Sequence, residues 1–405
     1  MRIATSWSEL PDTACAVREA FDMLLERLGN MPNIIVIQST EQYDFNLMIS
    51  LLGAFAPNTR IHGSTSSVGV MTEDGFHSKD SQSIGFLGIY DPDGSYGVGA
   101  VAIDDDAQAA ASKAIEVALT DADRPGEIPG FVLLACSPNN EEAIIHGIQD
   151  VIGPGVPIIG GTSADNMLDC HWKQFTSSGV YSEAIEVTTV FPSVEFGYSF
   201  HSGFSPSAKT GRVTRANDRT IYEIDGRPAV SVYYEWLGES VAKTLPKEGY
   251  IFKNVKHYPH AFGRIIGTVE NVPYYLISQP HTAMPDGSLL LFTQIETGDE
   301  IILMSEPRSG LISKAGRVVQ AAMNSADMSP QDVCGVLLMC CAGYLLPQDE
   351  MNAAAQTIRA AVGGKPFLSA FSYGEQGPFV SGENRHGNLM VSALVFGENR
   401  GLSGD

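Results

Sequence analysis

The sequence predicts an α/β protein built from three repeats of one β-α-β-α-β unit, which form helix-layered sheets. Three observations predict this class. Residues 33–39, 131–137 and 335–341 are apolar runs without alternation, which is typical of strands covered by helices on both faces. An amphipathic helix precedes each run, with apolar residues three or four apart. A short strand ending in small polar residues follows each run. The same order of elements therefore recurs three times.

Each unit begins with a short strand and a helix. The three strands are RIATSW, VGAVAI and EIILMS, and the helices are the segment containing Val17 and Leu28, AQAAASKAIEVAL and LISKAGRVVQAAM. After the apolar run we expect a second helix led by Glu41, Glu141 or Asp349, because acidic residues complement a helix N-terminus. The last strands are SIGFLGIY, AIEVTTVF and LMVSALVFG.

Small residues form the corner between the second helix and the last strand. RIHGSTSS (60–67), PIIGGTSA (157–164) and PFLSAFSY (366–373) align residue for residue, with Ser66, Ser163 and Ser372 in one column. A repeated corner is first of all architecture, since glycine is the usual residue at tight turns. The second corner also predicts a cleft, with Thr162 and Ser163 as candidate ligand contacts.

A long insertion separates the second and third units. Residues 198–297 are rich in β-branched and aromatic residues and in turn signals, which predicts a mainly antiparallel β region in a second lobe. The predicted domains are therefore 1–197, with two repeats, and 198–405, with the insertion 198–297 and the third repeat 298–399.

Charge and composition exclude several classes of protein. The formal net charge of the 405 residues is −22, so nucleic-acid binding and attachment to an anionic membrane are disfavoured. No apolar run reaches the ~18 residues of a membrane span. The start, MRIATSWSEL, lacks the pattern of a signal peptide. We expect a cytoplasmic protein.

Several longer segments resemble the FIST sensory proteins. They are HSGFSP (201–206), VTRANDRTIYEIDGRPAVSVYYEWLG (213–238), DGSLLLFTQIETGDEIILM (286–304) and SAFSYGEQGPFVSGENRHGNLM (369–390). The resemblance implies a bacterial sensory module that binds a small ligand and signals to a separate protein. Some stand-alone FIST members of similar length are haem-binding nitric-oxide sensors that regulate a histidine kinase. The resemblance therefore implies haem b as a candidate cofactor.

A haem sensor needs an axial histidine in an apolar pocket. The candidates are His257 and His260, which stand near Tyr258 and Phe262 in the insertion. Solvated loop histidines remain the alternative for both. Without a C-x-x-C-H motif, haem is not attached covalently in the c-type manner.

Polar residues between the third corner and the last strand are further candidates for ligand contacts. They are Tyr373, Glu375, Gln376, His386 and Asn388. Arg227 matches the family as well, and the alternative for it is an ion pair near Glu223 and Asp225. These side chains either converge on a ligand or tie down a long turn.

Two other functions remain open: a sensor of a small polar metabolite such as an amino acid, without haem, and a ligand-free adaptor. An enzyme is not expected, because Ser163 lacks the G-x-S-x-G elbow and no metal-ligand spacing occurs. We therefore expect neither catalytic nor metal-binding residues.

Overall fold

The computed structural model describes residues 1–251, 260–269, 272–305, 308–379 and 381–398. They divide into two compact units. The first unit contains Met1–Phe200, Ile312–Arg385 and the segment from Val391 onward. The second contains His201–Leu311 and His386–Met390.

Three six-stranded mixed sheets build the first unit, one for each repeat. In spatial order the first sheet comprises β1 (Arg2–Ser8), β6 (Ile84–Tyr90), β2 (Ile34–Ser39), β3 (Arg60–Thr65), β10 (Gln174–Thr176) and β11 (Gly179–Tyr181). The second comprises β26 (Asn384–Gly387), β25 (Glu375–Pro378), β9 (Ile158–Thr162), β8 (Phe131–Cys136), β12 (Ala184–Phe191) and β7 (Ser95–Ala102). The third comprises β13 (Phe196–Ser202), β27 (Met390–Gly397), β23 (Val333–Cys341), β24 (Phe367–Ser372), β4 (Val70–Thr72) and β5 (Gly75–His77).

Each sheet is completed by a hairpin from another repeat. The β10–β11 hairpin of the second repeat extends the first sheet, β25 and β26 of the third repeat extend the second sheet, and β4–β5 of the first repeat extends the third sheet. The exchange is cyclic, so every repeat both gives and receives a hairpin. The three sheets are therefore interdependent parts of one unit.

Helices cover the outer faces of the sheets. They are α1 (Thr13–Leu28), α2 (Phe45–Phe55), α3 (Ala107–Asp121), α4 (Glu141–Ile152), α7 (Arg308–Asn324) and α8 (Gln348–Ala361). The inner faces share one apolar core, to which the first sheet contributes Val36, the second Leu133 and the third Leu337. β2, β8 and β23 are therefore covered on both faces, which explains why these strands are uninterrupted apolar runs in the sequence.

Side-chain caps fix the starts of three of these helices. Asp12, Asp44 and Asp106 accept hydrogen bonds from the backbone N–H groups of Cys15, Leu47 and Ala109. The second helix of the first repeat thus begins at Phe45 after its Asp44 cap, and not at Glu41 as predicted. An N-cap carboxylate satisfies a backbone donor, which an acidic residue further upstream does not do.

The second unit is built around a nine-stranded sheet. Its strands are β14 (Ser205–Asn217), β15 (Thr220–Ile224), β16 (Arg227–Pro228), β17 (Gly249–Tyr250), β18 (His260–Val269), β19 (Val272–Ser278), β20 (Pro280–Ala283), β21 (Leu289–Leu291) and β22 (Glu300–Ser305). It also contains the short helices α5 (Ala229–Leu237) and α6 (Glu239–Ala242). The strand pairs in this sheet are antiparallel, as the sequence of the insertion predicts.

The predicted α/β class with repeated units is confirmed. The third repeat differs from the prediction in its first strand, because EIILMS is β22 of the nine-stranded sheet and β13 occupies the corresponding place in the third sheet. The insertion therefore lies inside the repeat, between its first strand and first helix. The predicted boundary between residues 197 and 198 stays a prediction. Among the described residues, no helix is long and apolar enough to cross a membrane.

Candidate functional site at the second corner

The three corners of the first unit are joined in a closed ring. At each corner, the residue after the aligned serine donates its backbone N–H to a carbonyl of another corner. The bonds are Ser67 to Phe371 (2.9 Å), Ala164 to Thr65 (3.0 Å) and Tyr373 to Thr162 (3.0 Å). The corners are thus equivalent in position as well as in sequence, and differences between their side chains are informative.

The first and third corners satisfy their serine hydroxyls within the protein. Ser66 Oγ donates to the Gly69 carbonyl (2.6 Å) and accepts from the Phe371 N–H (2.8 Å). Ser372 Oγ lies 2.9 Å from Glu375 Oε1, to which it donates. In these two corners the serine is a structural residue.

The second corner leaves two buried hydroxyls without a hydrogen-bond partner among the described residues. Ser163 is 1% exposed and Ser137 is fully buried, yet neither Oγ has a partner. The backbone N–H of Ser163 donates to the Cys136 carbonyl (2.8 Å), which places Ser163 beside the end of β8. A buried hydroxyl without a partner is destabilising by about 1–3 kcal/mol. Such groups often mark a site completed by another molecule.

A helix begins next to these hydroxyls. The second corner includes β9. α4 begins at Glu141, four residues after Ser137, and its N-cap Asn140 makes no side-chain capping bond. Backbone N–H groups at a helix N-terminus favour an oxygen acceptor. Open α/β sheets also place ligands at the carboxyl ends of their strands.

Acidic and amide groups form one wall of the same corner. Thr162 Oγ1 donates to Glu141 Oε1 (3.0 Å) and accepts from Gln376 Nε2 (3.1 Å). Glu375 pairs with Gly161 across the β25–β9 ladder and is fully buried. The structure therefore brings four of the predicted contact residues, Thr162, Ser163, Glu375 and Gln376, to one corner.

Tyr373 reaches the second corner through Asp165. Its hydroxyl lies 2.5 Å from Asp165 Oδ1 and accepts from the Leu168 N–H (3.1 Å). Asp165 is fully buried, and its carboxylate also accepts from the N–H groups of Leu168 (2.6 Å) and His171 (2.8 Å). Burial opposes ionisation, but the bonds from Tyr373 and the backbone outweigh it and lower the pKa of Asp165. Asp165 and Tyr373 thus fix the shape of the loop that follows the corner.

An exposed cluster lies further along this loop. The ligand-type atoms of Glu41, Asp169 and His171 lie within 4.8 Å of one another, and His171 Nδ1 is 3.2 Å from Asp169 Oδ1. Asp169 and His171 are exposed. Exposed acidic groups commonly occur without a bound ion, and this cluster is part of a surface loop.

The remaining predicted site residues lie elsewhere. His386 and Asn388 belong to the second unit, where Asn388 Oδ1 accepts from the Gln279 N–H (3.3 Å). Arg227, also in that unit, forms an exposed ion pair with Glu235 (2.6 Å), and not with Glu223 or Asp225. His260 begins β18, and its carbonyl accepts from the Tyr233 hydroxyl (3.2 Å). His257 lies outside the described residues. Their roles as ligand contacts stay predictions.

Sequence reasoning missed Ser137 and Asp165. Ser137 is the last residue of the second apolar run. When the three runs are aligned by sequence, Ser39 and Cys341 stand at the same position in the first and third runs. The backbone hydrogen bonds show a different equivalence. The carbonyl of Ser39 accepts from the Ser66 N–H and the carbonyl of Cys136 accepts from the Ser163 N–H, so Cys136, and not Ser137, corresponds to Ser39. Asp165 directly follows the second corner, PIIGGTSA (157–164). The polar residues after that corner were the available signal.

Two family domains cover most of the chain. The FIST N domain matches residues 33–227 and the FIST C domain matches residues 229–378. These matches confirm the resemblance that the sequence segments predict, and the chain carries both FIST domains. FIST domains are associated with the sensing of small ligands in signal transduction.

A curated relative shares part of the sequence. It is an uncharacterized protein of Methanocaldococcus jannaschii, 32% identical over 112 residues. The match covers 27% of this chain and 21% of that protein, so it spans about a fifth of the relative's length.

Two solved structures are similar over 98% of this chain and 99% of their own chains. They are a cyanuric acid hydrolase from A. caulinodans (TM-score 0.41, 9% identity) and a further cyanuric acid hydrolase structure (TM-score 0.40, 8% identity). The prediction that the chain is not an enzyme is contradicted by this finding, since both neighbours are hydrolases. Likeness at this level assigns no activity to the chain.

Proposed function

We propose that the chain is a sensory protein whose second corner binds a small polar molecule and passes its occupancy to a separate signalling protein. One observation carries the proposal. Of three corners equivalent in the hydrogen-bond ring, the second has the buried, unpartnered hydroxyls of Ser137 and Ser163 among the described residues. The other two corners satisfy the same serine from within.

The groups around this corner favour a ligand with both an acceptor and a donor end. Two hydroxyls and the start of α4 favour a carboxylate, because hydrogen bonds to charged groups are the stronger ones. The carboxyl groups of Glu141 and Glu375 supply acceptors for an ammonium group. This combination supports the expectation of a metabolite of the amino-acid type.

Removing the two hydroxyls is expected to weaken ligand binding. Each of Ser137→Ala and Ser163→Ala should raise the dissociation constant about tenfold, the equivalent of one hydrogen bond. Isothermal titration of the full chain with each of the twenty proteinogenic amino acids measures the effect. Ser66→Ala is the matched control, since its hydroxyl is structural. Unchanged binding of the best amino acid by the Ser137→Ala, Ser163→Ala double variant would contradict the proposal.

Haem-based nitric-oxide sensing, with a histidine kinase as the regulated partner, stays the alternative that the family resemblance implies. Its test is an absorption spectrum of protein produced with haem supply, before and after addition of nitric oxide. A Soret band that shifts with nitric oxide, and that disappears on replacement of His257 or His260, would favour the alternative.

A further inference from the structure

Facing strands of the first and second sheets bury a group of polar side chains. His62 on β3 and Glu186 on β12 are both fully buried, with His62 Nδ1 3.4 Å from Glu186 Oε1 and 3.0 Å from Thr188 Oγ1. Glu186 Oε1 also accepts from the Gly63 N–H (3.0 Å), and the Phe175 N–H faces the same carboxyl group. Gln38 and Gln174 flank Ser64 in the same sheet, each paired with it in register. We name Gln38, His62, Gln174 and Glu186 the polar joint.

The equivalent positions in the other sheets are mostly apolar or small. At this level one row of paired residues crosses each sheet. The row is Gly85–Gln38–Ser64–Gln174 in the first sheet, Glu186–Ala135–Gly161–Glu375 in the second and Ser392–Met339–Ala370 in the third. The place of His62, two residues before Ser64, is taken by Ile159 in the second sheet and by Leu368 in the third. Only the polar joint has a histidine and two glutamines at these positions.

The other contacts between the sheets are closed by direct packing. A Cβ on Gly161 would lie 2.8 Å from the Cβ of Ser372, and a Cβ on Gly85 would lie 2.7 Å from Leu368 Cδ1. At the contact of the second sheet with the third, the buried carboxyl group of Glu375 accepts a hydrogen bond from Ser372 Oγ (2.9 Å), so its polar group is satisfied within the protein. The fold alone does not require the polar joint.

Five polar atoms of the joint have no partner among the described residues. They are Gln38 Nε2, His62 Nε2, Gln174 Nε2, Gln174 Oε1 and Glu186 Oε2. All four side chains are fully buried. Leaving each such group unpaired is destabilising by about 1–3 kcal/mol, and native proteins contain few of them. Gln38 and Gln174 are the register neighbours of Ser64, His62 lies two residues before Ser64, and Glu186 faces His62, so these unpaired atoms are grouped around one stretch of β3.

The charge state of the joint defines the chemistry of a molecule that would pair with these atoms. Burial lowers the pKa of His62 to about 3 and raises the pKa of Glu186 well above its ordinary value, so burial favours the neutral form of both side chains. A proton on His62 Nδ1 suits its contacts with Glu186 and Thr188 and leaves Nε2 as an acceptor. The joint then offers donors from Gln38, Gln174 and Glu186, and acceptors from His62 and Gln174.

We infer that the polar joint binds a small uncharged molecule that carries both N–H and C=O groups, of the amide, cyclic urea or cyclic imide class. Complementary donors and acceptors satisfy the five buried atoms without introducing a charge into the interior. The inference rests on the residues of the polar joint and does not depend on the function proposed for the second corner.

The test uses the full chain labelled with ¹⁵N at glutamine and three probes: acetamide, imidazolidinone and hydantoin. We expect at least one probe to shift the side-chain amide resonances of Gln38 and Gln174 saturably. N,N′-dimethylhydantoin, which lacks the N–H groups, should bind about tenfold more weakly than hydantoin. Gln174→Met should abolish the shift at Gln38, whereas Gln320→Met on the exposed face of α7 should leave it unchanged. Amino-acid binding at the second corner should persist in Gln174→Met.

Two results would overturn the inference. One is the absence of a saturable shift with all three probes. The other is a crystal structure of the protein soaked in the probes with ordered water only at the five atoms. If Gln174→Met does not fold, Gln38→Met, with the shift read at Gln174, gives the same comparison.

Discussion

Acidification is expected to reduce the free energy of unfolding by about 5 kcal/mol through His62 alone. The pKa of this buried imidazole falls from 6.5 to about 3 on folding, and each pKa unit corresponds to about 1.4 kcal/mol. The unfolded state binds the extra proton between these values, so stability rises with pH and is lost as the pH falls from 6.5 towards 3.

Glu186 acts in the opposite direction. Its pKa is raised by burial, so the folded state holds the extra proton, and its contribution is lost as the pH rises above the ordinary value of 4.5. The two effects are separated by comparing the wild type with His62→Gln, because Glu186 remains in both. Urea unfolding at pH 7, 5.5 and 4 measures the free energy of unfolding of both proteins, and the difference between them should change by about 1.4 kcal/mol per pH unit from pH 5.5 to 4 and by less from pH 7 to 5.5.

His146→Gln is the matched control for this experiment. His146 lies on α4 and is exposed, so its replacement should leave the pH dependence of unfolding unchanged. A wild type and a His62→Gln variant with parallel pH dependence would show that the pKa of His62 does not fall on folding, and the neutral polar joint would then be wrong.

Asp165→Ala is expected to destabilise the first unit by about 3–5 kcal/mol. The buried carboxylate accepts from Tyr373 and from the backbone of the loop after β9. It also holds Leu168 and Cys170 at φ angles of 58° and 70°, which are unfavourable for side chains of these types. Without the carboxylate, the loop loses both its hydrogen bonds and its conformation.

Urea unfolding at pH 7 measures this effect, and limited proteolysis reports on the loop itself. Asp169→Ala provides the comparison, because Asp169 is exposed and its carboxylate lies 3.2 Å from Nδ1 of the exposed His171; it should change stability by less than about 0.5 kcal/mol. Equal stability of the two variants would show that Asp165 does not organise the corner.

The sequence predicts the elements of the first unit well where burial is complete. The apolar runs at 33–39, 131–137 and 335–341 correspond to β2, β8 and β23, which are covered on both faces. The aligned corners are equivalent because their glycines and small residues allow close approach. A Cβ on Gly160, for example, would lie 2.2 Å from the Leu134 carbonyl oxygen. The buried strands and the close-packed corners are thus determined by short stretches of sequence.

The cyclic exchange of hairpins could not be predicted in the same way. The pairing of β4 with β24 joins residues almost three hundred positions apart, for example Met71 and Ser369, and no local pattern specifies such a partner. For the same reason the placement of EIILMS could not be predicted, because its apolar residues suit the third six-stranded sheet as well as the nine-stranded sheet. The polar joint could not be predicted either, since His62 and Glu186 meet only when two sheets face each other.

The most direct test of the proposed sensor is a crystal structure of the full chain with the amino acid that binds most tightly. We predict ligand density at the second corner, within hydrogen-bond distance of Ser137 Oγ and Ser163 Oγ. Ligand bound instead at His386 and Asn388 in the second unit, with both serine hydroxyls still unpartnered, would contradict it.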